Sequence, residues 1–437
     1  MPRLAAYHAA LAAVDPLRQL GRVTQVVGLV AEAEGLALPV GAAVHLHLDD
    51  APSALGEVVG FRHGRMLIMP YAETRGLRPG CLVESAGSEG MVKVGPALLG
   101  RVVDGLGRAI DGGPDPDHRA LYPLFQDPPP PMSRRRITEP VDVGVRAINA
   151  LLTLGKGQRV GIFSGSGVGK STLMGMVARH TAAEVSVVGL IGERGREVRD
   201  FIERDLGPEG LKRSVVVVAT SDQPALVRIR AAYLATAIAE YFRDQGADVV
   251  LMMDSVTRFA LAAREVGLSI GEPPTTKGYT PSVFAQLPRL LERAGTTEHS
   301  GSITGIYTVL VEGDDVTEPV ADAMRSILDG HVVLTRRLAD QGHYPAIEVL
   351  GSVSRLVGEL NPPDVLGAGR GLTELLAAYR RAEDLINIGA YAEGTNPRID
   401  RALRLMERIN GFLRQGQDEG VGLAASREQL LALMKER

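Results

Sequence analysis

Short apolar runs separated by glycine-rich turns follow residue 20: "GRVTQVVGLVAEAEG", "GAAVHLHLDD", "ALGEVVGFRHGRMLIMP" and "GLRPGCLVES". Strands of this length predict a small closed or nearly closed β domain, since closure leaves no exposed sheet edge. Between Arg159 and Leu356 the pattern changes to near-continuous apolar strands separated by helical segments: "RVGIFS", "VSVVGLIG", "SVVVVATS", "DVVLMMDS", "SITGIYTVLV" and "HVVLTRRL". Strands apolar on both faces predict a mainly parallel sheet covered by helices on each side, an α/β core. Beyond Leu360 the chain reads as helical, as in "GLTELLAAYRRAEDLINIGAYAEG" and "PRIDRALRLMERINGFLRQG". The last helix, "SREQLLALMKER", is predicted to begin at Ser426 with Gln429 in the capping-box position.

Ahead of the first strand, Leu4, Tyr7, Leu11 and Val14 recur on one face before Pro16. That spacing predicts a short amphipathic helix, which either packs on its own domain or docks a partner. The run "VKVGPALLGRVVDGLGRAIDGG" and the stiff "QDPPPP" behind it read as a linker, and the prolines are expected to cross the surface. The expected organisation is an N-terminal helix over 1–20, a β-barrel over 21–92, a nucleotide-binding domain over 93–358 and a helical domain over 359–437.

The 437 residues are 45% hydrophobic and 23% charged, an ordinary soluble composition. A formal charge of -4 gives no general electrostatic reason to expect nucleic acid. The start lacks a secretion signal's apolar core and cleavage site, and no run approaches the roughly 18 apolar residues of a membrane helix. The single cysteine, Cys81, excludes an intrachain disulfide, fits a reducing compartment and is read as a small buried apolar group.

The chemistry starts at "SGSGVGKST". An apolar strand runs into a glycine-rich turn, and "STLMGMVARH" continues as a helix, the context a phosphate-binding loop needs. Ser164, Gly165, Ser166, Gly167, Val168, Gly169, Lys170, Ser171 and Thr172 are the candidate phosphate-binding residues. The glycines let backbone N–H groups wrap phosphate oxygens, Lys170 reaches the outer phosphates, and the Ser171 hydroxyl ligates Mg²⁺. Ser164 stands where the general pattern has glycine, which the loop tolerates if its backbone is ordinary. Asp254 ends the apolar strand "DVVLMMD", where a carboxylate lies beside Mg²⁺ at the sheet's carboxyl edge. Hydrolysis also needs a group that orients water, and the candidate is Glu193 in "GERGREV". Its neighbours Arg194, Arg196 and Glu197 either serve phosphate and hold the acid, or form a salt-bridged helix start.

Together "SGSGVGKST", "GERGREV", "VVVVATSDQPALVRIRAAYLATAIAEYFRDQGADVVLMMDSVTRFA", "GEPPTTKGYTPSVFAQLPRLLERAG", "VLVEGDDVTEPVADAMRSILDGHVVLTRRLA" and "YPAIEVLGSVSRL" resemble the flagellar and type III secretion export ATPases. These are relatives of the catalytic β subunit of rotary ATP synthases. The resemblance implies ATP and Mg²⁺ as cofactors, with Lys170 and Ser171 at the phosphates and Glu193 positioning the attacking water. It further implies Arg194 and Arg243 near the terminal phosphate, Glu197 and Asp254 on Mg²⁺ through water, Tyr344 stacked on adenine, and Arg355 as a finger acting in trans. A second adenine-side aromatic in the C-terminal domain is implied without a position.

The resemblance also implies a homohexamer with intersubunit sites, a stator-like regulator at the N-terminal segment, a central stalk protein, and an export gate with substrate–chaperone complexes. The expected location is the cytoplasmic face of a membrane-embedded export apparatus. An injectisome counterpart and a noncatalytic nucleotide-binding scaffold are the rival readings, and Glu193 argues against the second. RNA translocation is disfavoured because the β domain lacks interleaved basic and aromatic residues.

Overall fold

The computed structural model describes residues 19–49, 52–87, 90–117, 119–311 and 318–435. The expected helix over Leu4 to Val14 lies outside them. The described residues form two compact units, one holding those up to Met91 with 224–226 and 265–273, the other holding the remainder.

In the first unit, β1 (Leu20–Val27), β2 (Val30–Glu34), β3 (Ala43–Leu46), β4 (Ala54–Arg62), β5 (Arg65–Pro70) and β6 (Leu82–Ser85) form a closed antiparallel barrel in the order β1-β2-β5-β4-β3-β6. Alternation supplies the core: Val44 and Leu46 point inward with Val23, Ala33, Val58, Ile68 and Val83. Register slips between Val23 and Gln25, and between Val58 and Gly60, provide the local bends that closure requires. Cys81 is buried in this core.

The second unit is built on a nine-stranded sheet. Its parallel run is Gly330–Leu334, Arg159–Ser164, Ser302–Leu310, Asp248–Asp254, Val185–Ile191, Ser214–Ala219 and Val102–Asp104, each beside the next. Val353–Ser354 and Gly295–Thr296 add short antiparallel pieces. Every residue of Val185–Ile191 and of Ser214–Ala219 is buried, because helices cover both faces. Residues 102–104 depart from the linker reading, since they pair with Val216, Val217 and Val218. Two valines before an aspartate are too short a run to distinguish from the flank of a turn.

Helices Pro363–Asn387, Pro397–Leu413 and Leu423–Lys435 share one apolar core with the sheet, contributing Leu372, Leu405, Ile409, Phe412 and Leu430. The middle helix starts as its sequence demands, with Pro397 at its first position and the Asn396 side-chain Oδ1 accepting from Arg398 N–H at 3.0 Å. The last helix begins three residues before the expected Ser426. Leu423 N–H donates to Asp142 Oδ2 at 2.7 Å, while Ser426 is buried inside the helix and donates to Gly422 O. A carboxylate distant in sequence therefore caps this terminus in place of the local capping box.

Candidate functional site

Parallel strands place the loops after Ser164, Ile191 and Asp254 at one edge of the sheet, and a cleft of about 1060 Å³ opens there. Gly165, Ser166, Gly167, Gly169, Lys170, Ser171 and Thr172 line it together with Glu193, Arg194 and Glu197. Val168 is buried beneath the loop. Gly167 and Gly169 have φ of 77° and 90°, a region glycine enters without a Cβ penalty, so these two positions need glycine. Ser164 is absent from the positive-φ residues and simply ends its strand, which explains why serine is tolerated there.

Lys170 begins the helix Lys170–His180 and forms an ion pair with Asp254. Its Nζ also lies 3.5 Å from Glu193 Oε1. Burial pulls the Lys170 pKa down, but the charges of Asp254 and Glu193 outweigh it and the net shift is upward. Asp254 is held in turn by Thr308, whose hydroxyl donates at 2.7 Å.

Glu193 sits one residue beyond Gly192, whose φ is 74° and where a Cβ would lie 2.8 Å from Arg258 Cβ. Glycine is required at this turn for both reasons. Burial, then the charge of Asp254, pushes the Glu193 pKa up to about 7. Glu197 is shifted the other way by its hydrogen bond with Glu193, and it pairs with Arg194 at 3.1 Å. Among the described residues, Glu193 Oε1 is buried and makes no hydrogen bond. The hydroxyl and carboxylate oxygens of Ser171, Glu197 and Asp254 suit a hard ion such as Mg²⁺, and no cluster of three or more His, Cys, Asp or Glu able to hold a metal occurs among the described residues. A hydroxyl and two carboxylates fit an ion brought with a nucleotide, since Mg²⁺ is usually held by one or two carboxylates, phosphates and water.

Tyr344 stands at the rim, its Cδ1 3.5 Å from a Cβ built on Gly169, and it is 47% exposed. The loop of the helical bundle reaches it through Gln415 N–H, which donates to Tyr344 O at 2.9 Å. Residues 413–422 of that loop, "LRQGQDEGVG", contain no aromatic, so the second adenine-side ring is not supplied there.

Arg243 and Arg355 lie away from the cleft. Arg243 lies at the end of helix Ala225–Asp244, is 3% exposed, and donates to Asp244 at 2.8 Å and to Arg293 O. A helix between parallel strands runs back toward their amino ends, so its last turn lies at the edge opposite the phosphate loop. The terminal-phosphate reading of Arg243 is therefore corrected. Arg355 is exposed on the loop after Val353–Ser354, its guanidinium beside Arg325 O, and is not among the cleft residues.

Sequence reading missed Arg258. It lies on the helix Val256–Ser269, lines the cleft, packs on Gly192 and acts electrostatically on Glu193. Its Nε is buried and makes no hydrogen bond among the described residues. The signal available was its place four residues after Asp254, in the first turn of the helix that follows the carboxylate's strand.

Residues 144–354 match the nucleotide-binding domain of the ATP synthase alpha/beta family, 23–87 its beta-barrel domain, and 362–432 the C-terminal domain of the T3SS EscN ATPase. The chain is 54% identical to the flagellum-specific ATP synthase of Bacillus subtilis over 421 residues, 96% of each chain. It is 50% identical to the type 3 secretion system ATPase of Xanthomonas euvesicatoria, covering 92% of this chain and 91% of that one. The assembled ATPase EscN of enteropathogenic E. coli superposes with a TM-score of 0.90 at 44% identity, covering 95% of this chain and all of that one. EscN in complex with its central stalk EscO superposes with a TM-score of 0.88 at 43% identity and the same coverage. Among the described residues no helix is long and apolar enough to cross a membrane. The chain belongs to the flagellar and type III secretion export ATPases, P-loop ring ATPases homologous to the β subunit of the rotary ATP synthases.

Proposed function

We propose that this chain hydrolyses MgATP at sites completed between neighbouring copies in a homohexamer, and that it does so in flagellar protein export. The observation that carries the reading is the meeting of Lys170 and Glu193 in one cleft, with Asp254 paired to Lys170 beneath it, while Arg355 stays outside. Each chain then offers a cleft to one neighbour and an arginine to the other.

In this reading the loop amides and Lys170 bind the phosphates, and Tyr344 stacks on adenine. Ser171 would hold Mg²⁺ directly, with Asp254 and Glu197 acting through water, and the ion would supply neutralisation of charge on the phosphate oxygens. Glu193 orients a water whose oxygen attacks the γ-phosphorus as the bond to the β–γ bridging oxygen breaks, giving ADP and phosphate. Arg194 and Arg258 lie on the side of the terminal phosphate. Arg355 of the adjacent copy neutralises charge in the transition state, an effect worth about 10³ to 10⁵ in rate for such fingers.

The flagellar assignment rests on the higher identity to the Bacillus subtilis protein, and the likeness to EscN supports an injectisome role as the second reading. The partners are a central stalk protein, as the complex of EscN with EscO supports, a stator-like regulator at the N-terminal segment, and an export gate at the cytoplasmic face of the membrane that receives substrate–chaperone complexes. The test of hydrolysis is ATPase rate against protein concentration, with mass measured in parallel. A rate per chain that climbs as a hexamer forms supports shared sites, and a flat rate from a monomer contradicts them. The test of the apparatus is whether this gene restores motility to a strain lacking its flagellar export ATPase; restoration of injectisome secretion alone would favour the second reading.

A further inference from the structure

The segment from Arg336 to Tyr344 straddles the phosphate loop. At one end Arg336 Nη2 donates to Ser166 O at 2.8 Å, and at the other the Tyr344 ring lies over Gly169. No backbone N–H among the described residues of the strand Arg159–Ser164 or the helix Lys170–His180 donates to the Ser166 carbonyl.

We infer that Arg336 is a positioning residue for nucleotide binding, acting through the Ser166–Gly167 peptide. In a trans peptide the carbonyl of one residue and the N–H of the next lie in one rigid plane and point opposite ways. Arg336 also lines the cleft, and by holding Ser166 O it fixes the Gly167 N–H in the opposite direction, away from its own guanidinium. Gly167 has φ of 77° and Gly169 of 90°, a glycine-permitted backbone of the kind that gathers N–H groups into an anion nest. A charged donor on the carbonyl also polarises the amide and strengthens the N–H it carries.

The segment is braced from behind by the helical bundle. Arg337 donates to Glu348 at 2.9 Å, Arg380 on the helix Pro363–Asn387 pairs with the same carboxylate at 3.1 Å, and Gln415 N–H donates to Tyr344 O. The brace makes Arg336 a fixed strut on the loop, though its own side chain is exposed.

This inference rests on the reading that the loop around Lys170 binds ATP. The test titrates ADP and ATP, each with Mg²⁺, into the wild-type chain, Arg336→Gln, Arg336→Lys and Lys170→Ala, and measures kcat and KM. A charge-assisted hydrogen bond at an exposed site corresponds to roughly three- to tenfold in affinity. Arg336→Gln should weaken ADP and ATP by the same factor, raise KM and leave kcat within about twofold, and Arg336→Lys should recover most of the loss. Unchanged ADP affinity in Arg336→Gln overturns the inference. A loss confined to ATP also overturns it, because it makes Arg336 a direct contact of the terminal phosphate. Unchanged binding in Lys170→Ala would instead defeat the underlying reading of the site.

Discussion

Lys170 and Asp254 form an ion pair whose side chains are only 11% and 4% exposed, so the lysine we propose for the phosphates is held by an acid. Incoming phosphates must draw the ammonium away from that carboxylate, and Mg²⁺ near Asp254 would assist by competing for it. Asp254→Asn keeps the group's size and its place beside Thr308 but removes the competing charge. Mg²⁺-free ATP should bind this variant more tightly than the wild type, while Mg²⁺-dependent turnover falls by about 10² or more. Equilibrium titration with and without Mg²⁺, beside steady-state rates, checks both halves.

Arg258 and Glu193 should behave as chemical-step residues. Arg258→Ala and Glu193→Gln are each expected to lower kcat by about 10² to 10³ while ADP affinity changes little. Gly192→Ala should produce a similar loss without touching either side chain, because the turn that carries Glu193 would have to open against Arg258. Rates and ADP titrations on the three proteins decide this.

These expectations divide according to what a linear pattern carries. The phosphate loop was legible because its glycines answer a local backbone demand, and Asp254 and Glu193 because strand ends announce the carboxyl edge of a parallel sheet. Arg243 misled because "EYFRDQG" is a charged helix end like any other, and only the return path of the helix shows that it lies at the edge opposite the phosphate loop. Arg258 was hidden for the opposite reason, since an arginine in "SVTRFALAAREVG" reads as a solvated helix face. The start of the last helix was missed because its cap, Asp142, lies 281 residues away in sequence.

Arg293 and Glu240 make a buried ion pair at the opposite edge of the sheet from the phosphate loop, Arg293 Nε donating to Glu240 Oε1 at 2.8 Å with both side chains at most 1% exposed. Removing one partner strands the other charge. Arg293→Met or Glu240→Met alone should cost about 3–5 kcal/mol, and the double variant markedly less than their sum. Urea unfolding of the four proteins gives the cycle.

His180 closes the phosphate-loop helix against Gly144 and Gly420, where a Cβ at either glycine would overlap the ring or its Cβ. Burial, then the charges of Arg179 and Arg213, holds its pKa below the usual histidine value. The unfolded chain therefore binds this proton more readily than the folded one, so stability rises with pH across the window. It is fully present above about pH 6.5, the unfolded value, and declines as pH falls toward the folded one. The urea midpoint should drop between pH 7.5 and 5.5, and His180→Gln should flatten that slope.

The most direct test of shared sites mixes two inactive proteins. Lys170→Ala chains lose their own cleft but keep Arg355, and Arg355→Ala chains keep the cleft but lose the finger. If the site joins one chain's cleft to its neighbour's Arg355, each protein alone is nearly silent and co-assembled rings recover ATPase activity at the interfaces where an intact cleft meets an intact arginine. Full activity from Arg355→Ala alone, or silence from rings shown by mass to contain both chains, would contradict the account.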